Sequence, residues 1–130
     1  MGFDLWLVAD PLQTDLRPTL TDIERIFDGT VRARSLEFHY LYVGTSTTDS
    51  CEIHYSEDEP QVLVTVSRPV QSMWLWERIY RLLLEFDMFM WWGDDAAVVV
   101  RDNVPVPVEM KLRQVRATGP AQLRSALESA

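Results

Sequence analysis

Two histidines, His39 and His54, are the residues of this sequence best suited to chemistry. If the loop 44–49 joins two antiparallel strands, the simplest register places His39 directly opposite His54. Glu37 and Glu52 share that face because side chains alternate along a strand. Two imidazoles and a carboxylate are the ligand types of a catalytic zinc or iron site, which would make the chain a small metal-dependent enzyme. The alternative is a solvated sheet face on which these residues stand because they are polar.

Other catalytic chemistry has little support in the sequence. Cys51 is the only cysteine, and alternation with Ile53 and Tyr55 places it on the apolar side of its strand, where a thiol acts as a small hydrophobe. No serine lies in a Gly-x-Ser-x-Gly motif, and no glycine-rich phosphate loop is present. We therefore predict no catalytic residue and no cofactor, and the sequence favours a protein that is not an enzyme.

The charge of the chain is strongly negative, with 20 Asp and Glu against 12 Lys and Arg and a formal net charge of -8. This balance disfavours nucleic acid and anionic membrane surfaces as partners. The carboxylates concentrate in predicted strand-connecting loops, where they could steer and bind a basic protein. The candidate contact residues are Asp49, Glu52, Glu57, Asp58, Glu59, Asp94 and Asp95. The alternative is that these charges serve only to solvate the loops.

Tryptophan is abundant, with five residues in the chain. Trp91 and Trp92 are neighbours in a predicted strand and must point to opposite sides, so one of them faces solvent, a second layer or a partner. We include both among the candidate contact residues, since tryptophan is enriched at interface hot spots. Trp74 and Trp76 diverge by about 200° around a predicted helix, which is therefore deeply buried or part of a homodimer contact.

Hydrophobic periodicity predicts the elements that position these residues. The predicted strands cover 3–9, 35–42, 51–56, 62–67, 89–92 and 96–101, and the predicted helices cover 22–27, 71–85, 108–115 and 120–127. Thr21 and Glu24 have the spacing of a capping box for the first helix. In the strand 35–42, alternation places Tyr40 and Tyr42 on the apolar side.

This order of elements predicts an α+β fold in one domain that spans residues 1–130. We expect a single-layer, mainly antiparallel sheet of about five to six strands packed on helices, in the order β-α-β-β-β-α-β-β-α. The most apolar stretch, 73–92, carries five charged residues, so it is a core element and not a membrane span.

No stretch of the sequence carries the motif of a known family. In size, acidity and lack of catalytic motifs, the chain is similar to small bacterial immunity proteins and antitoxins. The leading hypothesis is a cytoplasmic inhibitor that neutralises a basic partner, such as a toxic enzyme, by occluding its active site. The lone cysteine and the absence of a secretory signal suit the cytoplasm. The alternatives are the metal-dependent enzyme and a homo-oligomeric structural protein.

Overall fold

The fold described below is that of a computed structural model, which describes residues 4–10, 12–13, 16–35, 37, 39–56 and 62–128. Within these residues the chain forms one eight-stranded sheet with three helices. The strands are β1 (Asp4–Val8), β2 (Val31–Ser35), β3 (Tyr40–Ser46), β4 (Asp49–Tyr55), β5 (Val62–Ser67), β6 (Phe89–Trp91), β7 (Ala96–Val99) and β8 (Arg113–Arg116). The helices are α1 (Leu20–Ile26), α2 (Met73–Glu85) and α3 (Pro120–Glu128), and Val108–Met110 forms a single 3₁₀ turn. The predicted α+β class is confirmed, but the sheet has eight strands instead of the predicted five to six, because β2 and β8 were not predicted.

The strand order is β2-β3-β4-β5-β1-β6-β7-β8, so the first strand lies in the middle of the sheet. Every neighbouring pair is antiparallel except β7 and β8, which are parallel. Short turns join β3 to β4 and β6 to β7, as antiparallel neighbours allow. The parallel β8 is reached by a longer connection that crosses the sheet. The central β1 therefore brings the N-terminal residues beside β5 and β6.

The main hydrophobic core lies on the side of the sheet that the helices cover, which we call the inner face. Alternating residues of the central strands, such as Leu5, Ile53 and Val66, are buried on this face. Helix α2 contributes a wide apolar side whose residues, including Trp76 and Ile79, have no exposed surface. The predictions of helices over 71–85 and 120–127 are confirmed, since α2 and α3 occupy these segments.

A second, smaller hydrophobic cluster lies on the opposite side of the sheet, the outer face. It buries Val8, Phe89 and Val99 beneath the segment 104–112, with Val104 inside the cluster. This segment covers only the half of the outer face formed by β1, β6 and β7. Among the described residues, neither hydrophobic cluster includes the outer side of β3, β4 and β5. We call this region, which the described residues leave uncovered, the open half of the outer face.

The prediction of one strand over 35–42 is wrong. The strand β2 ends at Ser35, and β3 begins only at Tyr40, after His39 adopts a left-handed backbone with φ of 53°. This turn reverses the chain and resets the alternation. As a result Leu41 is buried on the inner face, whereas Tyr40 and Tyr42 are half-buried on the outer face. Leu36 and Phe38 lie outside the described residues.

Two other local predictions are corrected by the structure. The capping box of α1 is formed by Thr19 and Asp22, not by Thr21 and Glu24: the Thr19 N–H donates to Asp22 Oδ2 at 2.8 Å, and the Asp22 N–H donates to Thr19 Oγ1 at 3.1 Å. The helix predicted over 108–115 is only the 3₁₀ turn Val108–Met110 followed by β8. The backbone of β8 pairs with the free edge of β7, which satisfies donors and acceptors on both strands.

Candidate functional site

Two rows of side chains cross the open half of the outer face and continue onto the outer side of β1. The first row runs across four strands through Asp4 on β1, Ser67 on β5, Glu52 on β4 and Tyr42 on β3, which are successive register partners. Neighbouring strands lie about 4.8 Å apart, so the Cα atoms of Asp4 and Glu52 are about 10 Å apart on either side of Ser67. Two exposed carboxylates thus flank one short hydroxyl side chain.

The second row is aromatic at both ends. Its register partners are Trp91, Trp6, Thr65, His54 and Tyr40. The rings of Trp6 and Trp91 are 5.5 Å apart at 40°, and those of Tyr40 and His54 are 5.7 Å apart at 37°. Trp91 Nε1 also donates to the backbone oxygen of Asp94 at 2.7 Å. The tryptophan pair borders the segment 104–112, so it marks the edge of the open half.

The first row lines a concave cleft of about 570 Å³. Its walls are formed by Asp4, Tyr42, Thr47, Ser50, Cys51, Glu52, Ser67 and Arg68. The Tyr42 hydroxyl and Ser50 Oγ lie 2.5 Å apart and share a hydrogen bond, which fixes the tyrosine ring at one end of the cleft. In the described part of the chain, the charged groups that line the cleft are the carboxylates of Asp4 and Glu52 and the guanidinium of Arg68. Among the described residues, neither Asp4 nor Arg68 forms an ion pair.

The predicted pairing of His39 with His54 is wrong, because the register differs by one residue. Tyr40 faces His54 across the strands, and His39 lies before β3, where its backbone oxygen accepts a hydrogen bond from the Tyr55 N–H at 2.9 Å. His54 Nε2 instead contacts Glu52 Oε2 at 3.1 Å. Within the described part of the chain, which includes Glu37, no three His, Cys, Asp or Glu residues are grouped as metal ligands. The juxtaposition of His39 and His54, from which the metal site was predicted, is therefore not formed.

The register differs because the predicted loop 44–49 is not a loop. β3 extends to Ser46, a two-residue turn follows, and an irregularity in the pairing lies between Gly44 and Ser46. A Cβ on Gly44 would lie 2.4 Å from the backbone oxygen of Asp49 and 2.5 Å from Ser50 Cβ. Only glycine allows this close approach. A glycine within a strand pattern is a typical signal of such a bulge and could have indicated the shift.

Asp49, predicted as a contact residue, is held by hydrogen bonds within the chain. Its carboxylate accepts from Ser72 Oγ at 2.5 Å, from Trp74 Nε1 at 2.9 Å and from Thr45 Oγ1. These bonds, that of Ser72 above all, hold the pKa of the Asp49 carboxyl below its ordinary value. Asp49 therefore ties the β3–β4 turn to the start of α2, a role that the sequence analysis missed.

Three of the other six candidate carboxylates, Glu52, Asp94 and Asp95, lie at the same end of the sheet as Asp49. We call this the acidic end; it contains Asp4, Asp49, Glu52, Asp94 and Asp95, because β1, β4 and β7 begin there and β3, β5 and β6 end there. Asp94 and Asp95 are exposed in the β6–β7 turn, and Asp95 Oδ1 lies 3.6 Å from Arg113. Glu57, Asp58 and Glu59 lie outside the described residues. The strand ends that flank them, at Tyr55 and Val62, are at the opposite end of the sheet.

Trp91 and Trp92 point to opposite sides of the sheet, as predicted. Trp92 packs against the main core, and Trp91 packs against the second cluster on the outer face. Both rings are half-buried, so neither is fully exposed to a partner. Cys51 is 3% exposed, and burial raises the pKa of its thiol to about 12. The prediction that Cys51 belongs to the core is confirmed.

Comparison with known proteins identified no relative of this chain. A scan of family models found no match, and searches of curated proteins and of solved structures found no significant similarity. In the part of the chain that the structure describes, no helix has the length and apolar character that crossing a membrane requires.

Proposed function

We propose that this chain is a small acidic binding protein that inhibits a basic partner protein by covering its active site, in the manner of a bacterial immunity protein or antitoxin. The observation that carries this proposal is the gathering of four carboxylates that are not tied to α2, those of Asp4, Glu52, Asp94 and Asp95, at one end of the sheet. They lie beside a face that bears Tyr40 and Tyr42 and that the described residues leave uncovered. Carboxylates steer and orient a basic partner, and half-exposed aromatic rings supply apolar contact area. We place this activity in the cytoplasm.

Within the part of the chain that the structure describes, the two ends of the sheet differ in how many of their carboxylates are paired with Arg. At the end opposite to the acidic end, Asp87 is paired with Arg101, and Asp102 Oδ1 lies 2.6 Å from Arg116. At the acidic end, Asp95 has a long contact with Arg113 at 3.6 Å, whereas neither Asp4 nor Asp94 has a Lys or Arg partner among the described residues. Unpaired carboxylates keep their full charge for an approaching partner. This asymmetry favours the acidic end as the contact surface.

Affinity capture tests this proposal. The tagged chain is co-expressed with the product of the adjacent gene in its source DNA, and the two are purified at about 50 mM and about 300 mM salt. We expect salt-sensitive co-purification and loss of the partner's activity in the complex. Reversal of charge with Asp94→Lys should weaken the complex, whereas Glu77→Lys on the exposed side of α2 should not. Equal effects of the two substitutions would contradict the surface, and the absence of any complex would contradict the function.

A further inference from the structure

In the cleft of the open half, the carboxylates of Asp4 and Glu52 stand on either side of a space above Ser67. Ser67 is short, and its row neighbours Asp4 and Glu52 are exposed acidic side chains on either side of it. Their Cα separation of about 10 Å leaves room for a flat cationic group that donates about 2.8 Å hydrogen bonds to both carboxylates. The space between the two carboxylates therefore suits, in charge and in width, a cation with hydrogen-bond donors on two of its edges.

The remaining walls favour a planar cation. The Tyr42 ring lies next to Glu52 in the same row, and its bond to Ser50 holds it in place before any ligand arrives. A guanidinium can stack on an aromatic ring while its edges donate to carboxylates, whereas a lysine ammonium is a compact point charge. The hydroxyl groups of Ser67 and Thr47 add neutral acceptors to the walls.

Among the described residues that line the cleft, Arg68 is the only one with a positive charge. Its guanidinium repels any cation that enters the cleft. It follows β5 directly with a left-handed φ of 54° and an exposed side chain. Among the described lining residues, two carboxylates and this single guanidinium give a net charge of -1. A cation is thus still attracted, and the affinity should rise when Arg68 is neutralised.

We propose that the cleft between Asp4 and Glu52 binds an arginine side chain of the partner protein, with the guanidinium lying over Ser67 and against Tyr42. This inference rests on the proposed function and names the chemical group that the open half recognises. A second copy of this chain is a poorer occupant of the open half, because it would bring carboxylates of the same charge against Asp4 and Glu52.

A titration followed by NMR amide shifts tests the site without the partner. The probes are acetyl-Gly-Arg-Gly-amide and the same peptide with citrulline, which keeps the shape and removes the charge. At about 20 mM salt we expect saturable shifts at Glu52 and Ser67 with the arginine peptide only. Saturable shifts elsewhere, equal shifts with citrulline, or no saturable shift would overturn the proposal.

Substitutions make the test specific to the cleft. Asp4→Asn and Glu52→Gln should each weaken the arginine peptide about threefold or more, and Arg68→Gln should strengthen it about twofold. Glu77→Gln removes the same charge from the far side of the molecule and should leave the affinity unchanged. An affinity unaltered by Asp4→Asn or Glu52→Gln, or lowered equally by Glu77→Gln, would overturn the site.

The two proposals fail in different ways. If the chain captures a basic partner but the cleft substitutions leave that complex and the peptide titration unchanged, the inhibitor function stands and the arginine site does not. If the peptide binds in the cleft but no basic partner is captured, the arginine site stands and the inhibitor function does not.

Discussion

The carboxylate of Asp49 accepts a hydrogen bond from Trp74 Nε1 at 2.9 Å, which joins the β3–β4 turn to the first turn of α2. Ser72, the residue before α2, donates to the same carboxylate and does not cap its own helix through its side chain. The β3–β4 turn, which lies at the acidic end, is therefore held in place by α2. This relationship separates Asp49 from the carboxylates that remain available to a partner.

Substitution of Asp49 by Ala should lower the stability of the fold more than substitution of Asp95 by Ala. Asp49 accepts three side-chain hydrogen bonds, whereas the Asp95 carboxylate makes one long contact with Arg113. Urea denaturation followed by circular dichroism measures the difference in the transition midpoint. Equal midpoints for the two variants would show that the Asp49 hydrogen bonds do not stabilise the turn.

Acid should destabilise the protein partly through Asp49. Its pKa is lowered in the folded state by the hydrogen bond from Ser72 and then by those from Thr45 and Trp74, from an ordinary value of 3.8. The unfolded chain therefore binds more protons in this range, so this contribution is complete above about pH 5 and is lost as the pH falls through the folded pKa. Urea denaturation between pH 5 and pH 2 should show that the free energy of unfolding falls less steeply with decreasing pH in Asp49→Asn than in the wild type. An equal loss of stability in the two proteins over this pH range would contradict a contribution of Asp49.

Gly44→Ala should destabilise the fold by about 2 kcal/mol, because its new Cβ would meet the backbone of Asp49 at 2.4 Å. Gly119→Ala is the matched control, since no neighbouring atom lies within 4 Å of a Cβ at that position. Denaturant titration of both variants measures the difference. A Gly44→Ala protein as stable as the wild type would show that the strand irregularity can be relieved at little cost.

Cys51 should resist thiol reagents in the folded protein, because it is buried and its pKa is raised to about 12 by burial. Reaction with a chromogenic disulfide at pH 8 should be slow in buffer and fast in about 6 M urea, where the chain unfolds. Rapid reaction in buffer would place the thiol at an open surface of the cleft.

Replacing an apolar side chain by Ala should lower the free energy of unfolding much more at a buried position than at an exposed one. Ile79 has no exposed surface, so Ile79→Ala should cost about 3 kcal/mol of the free energy of unfolding. Val108 is 81% exposed, and Val108→Ala should change that free energy by less than about 0.5 kcal/mol. Comparable losses in both variants would contradict the packing of α2 against the inner face.

Local patterns in the sequence predicted much of the fold. The alternation of Cys51 and Ile53 and the helical period of 71–85 placed β4 and α2 correctly, because each has one clearly apolar side. β8 was missed because its sequence, RQVR, has a single apolar residue and its pairing depends on β7, from which the segment 100–112 separates it. Long-range pairing leaves no local signal in such a segment.

The candidate site was only partly predictable for the same reason. Glu52 was identified by its charge, but Asp4 and Ser67 join it only through the order β4-β5-β1, which a sequence does not display. Tyr42 was placed on the inner face because the turn at His39 and the irregularity after Gly44 were not recognised. Two backbone features therefore decided which side chains reach the outer face.

The most direct test of the central claim is the salt dependence of the affinity between this chain and a captured basic partner, measured by calorimetry with the wild type and with Glu52→Lys. We expect the affinity of the wild type to fall by about tenfold or more between 50 mM and 300 mM salt, and Glu52→Lys to bind more weakly at the lower salt. An affinity that depends neither on salt nor on the charge at position 52 would contradict electrostatic recognition of a basic partner by the acidic end.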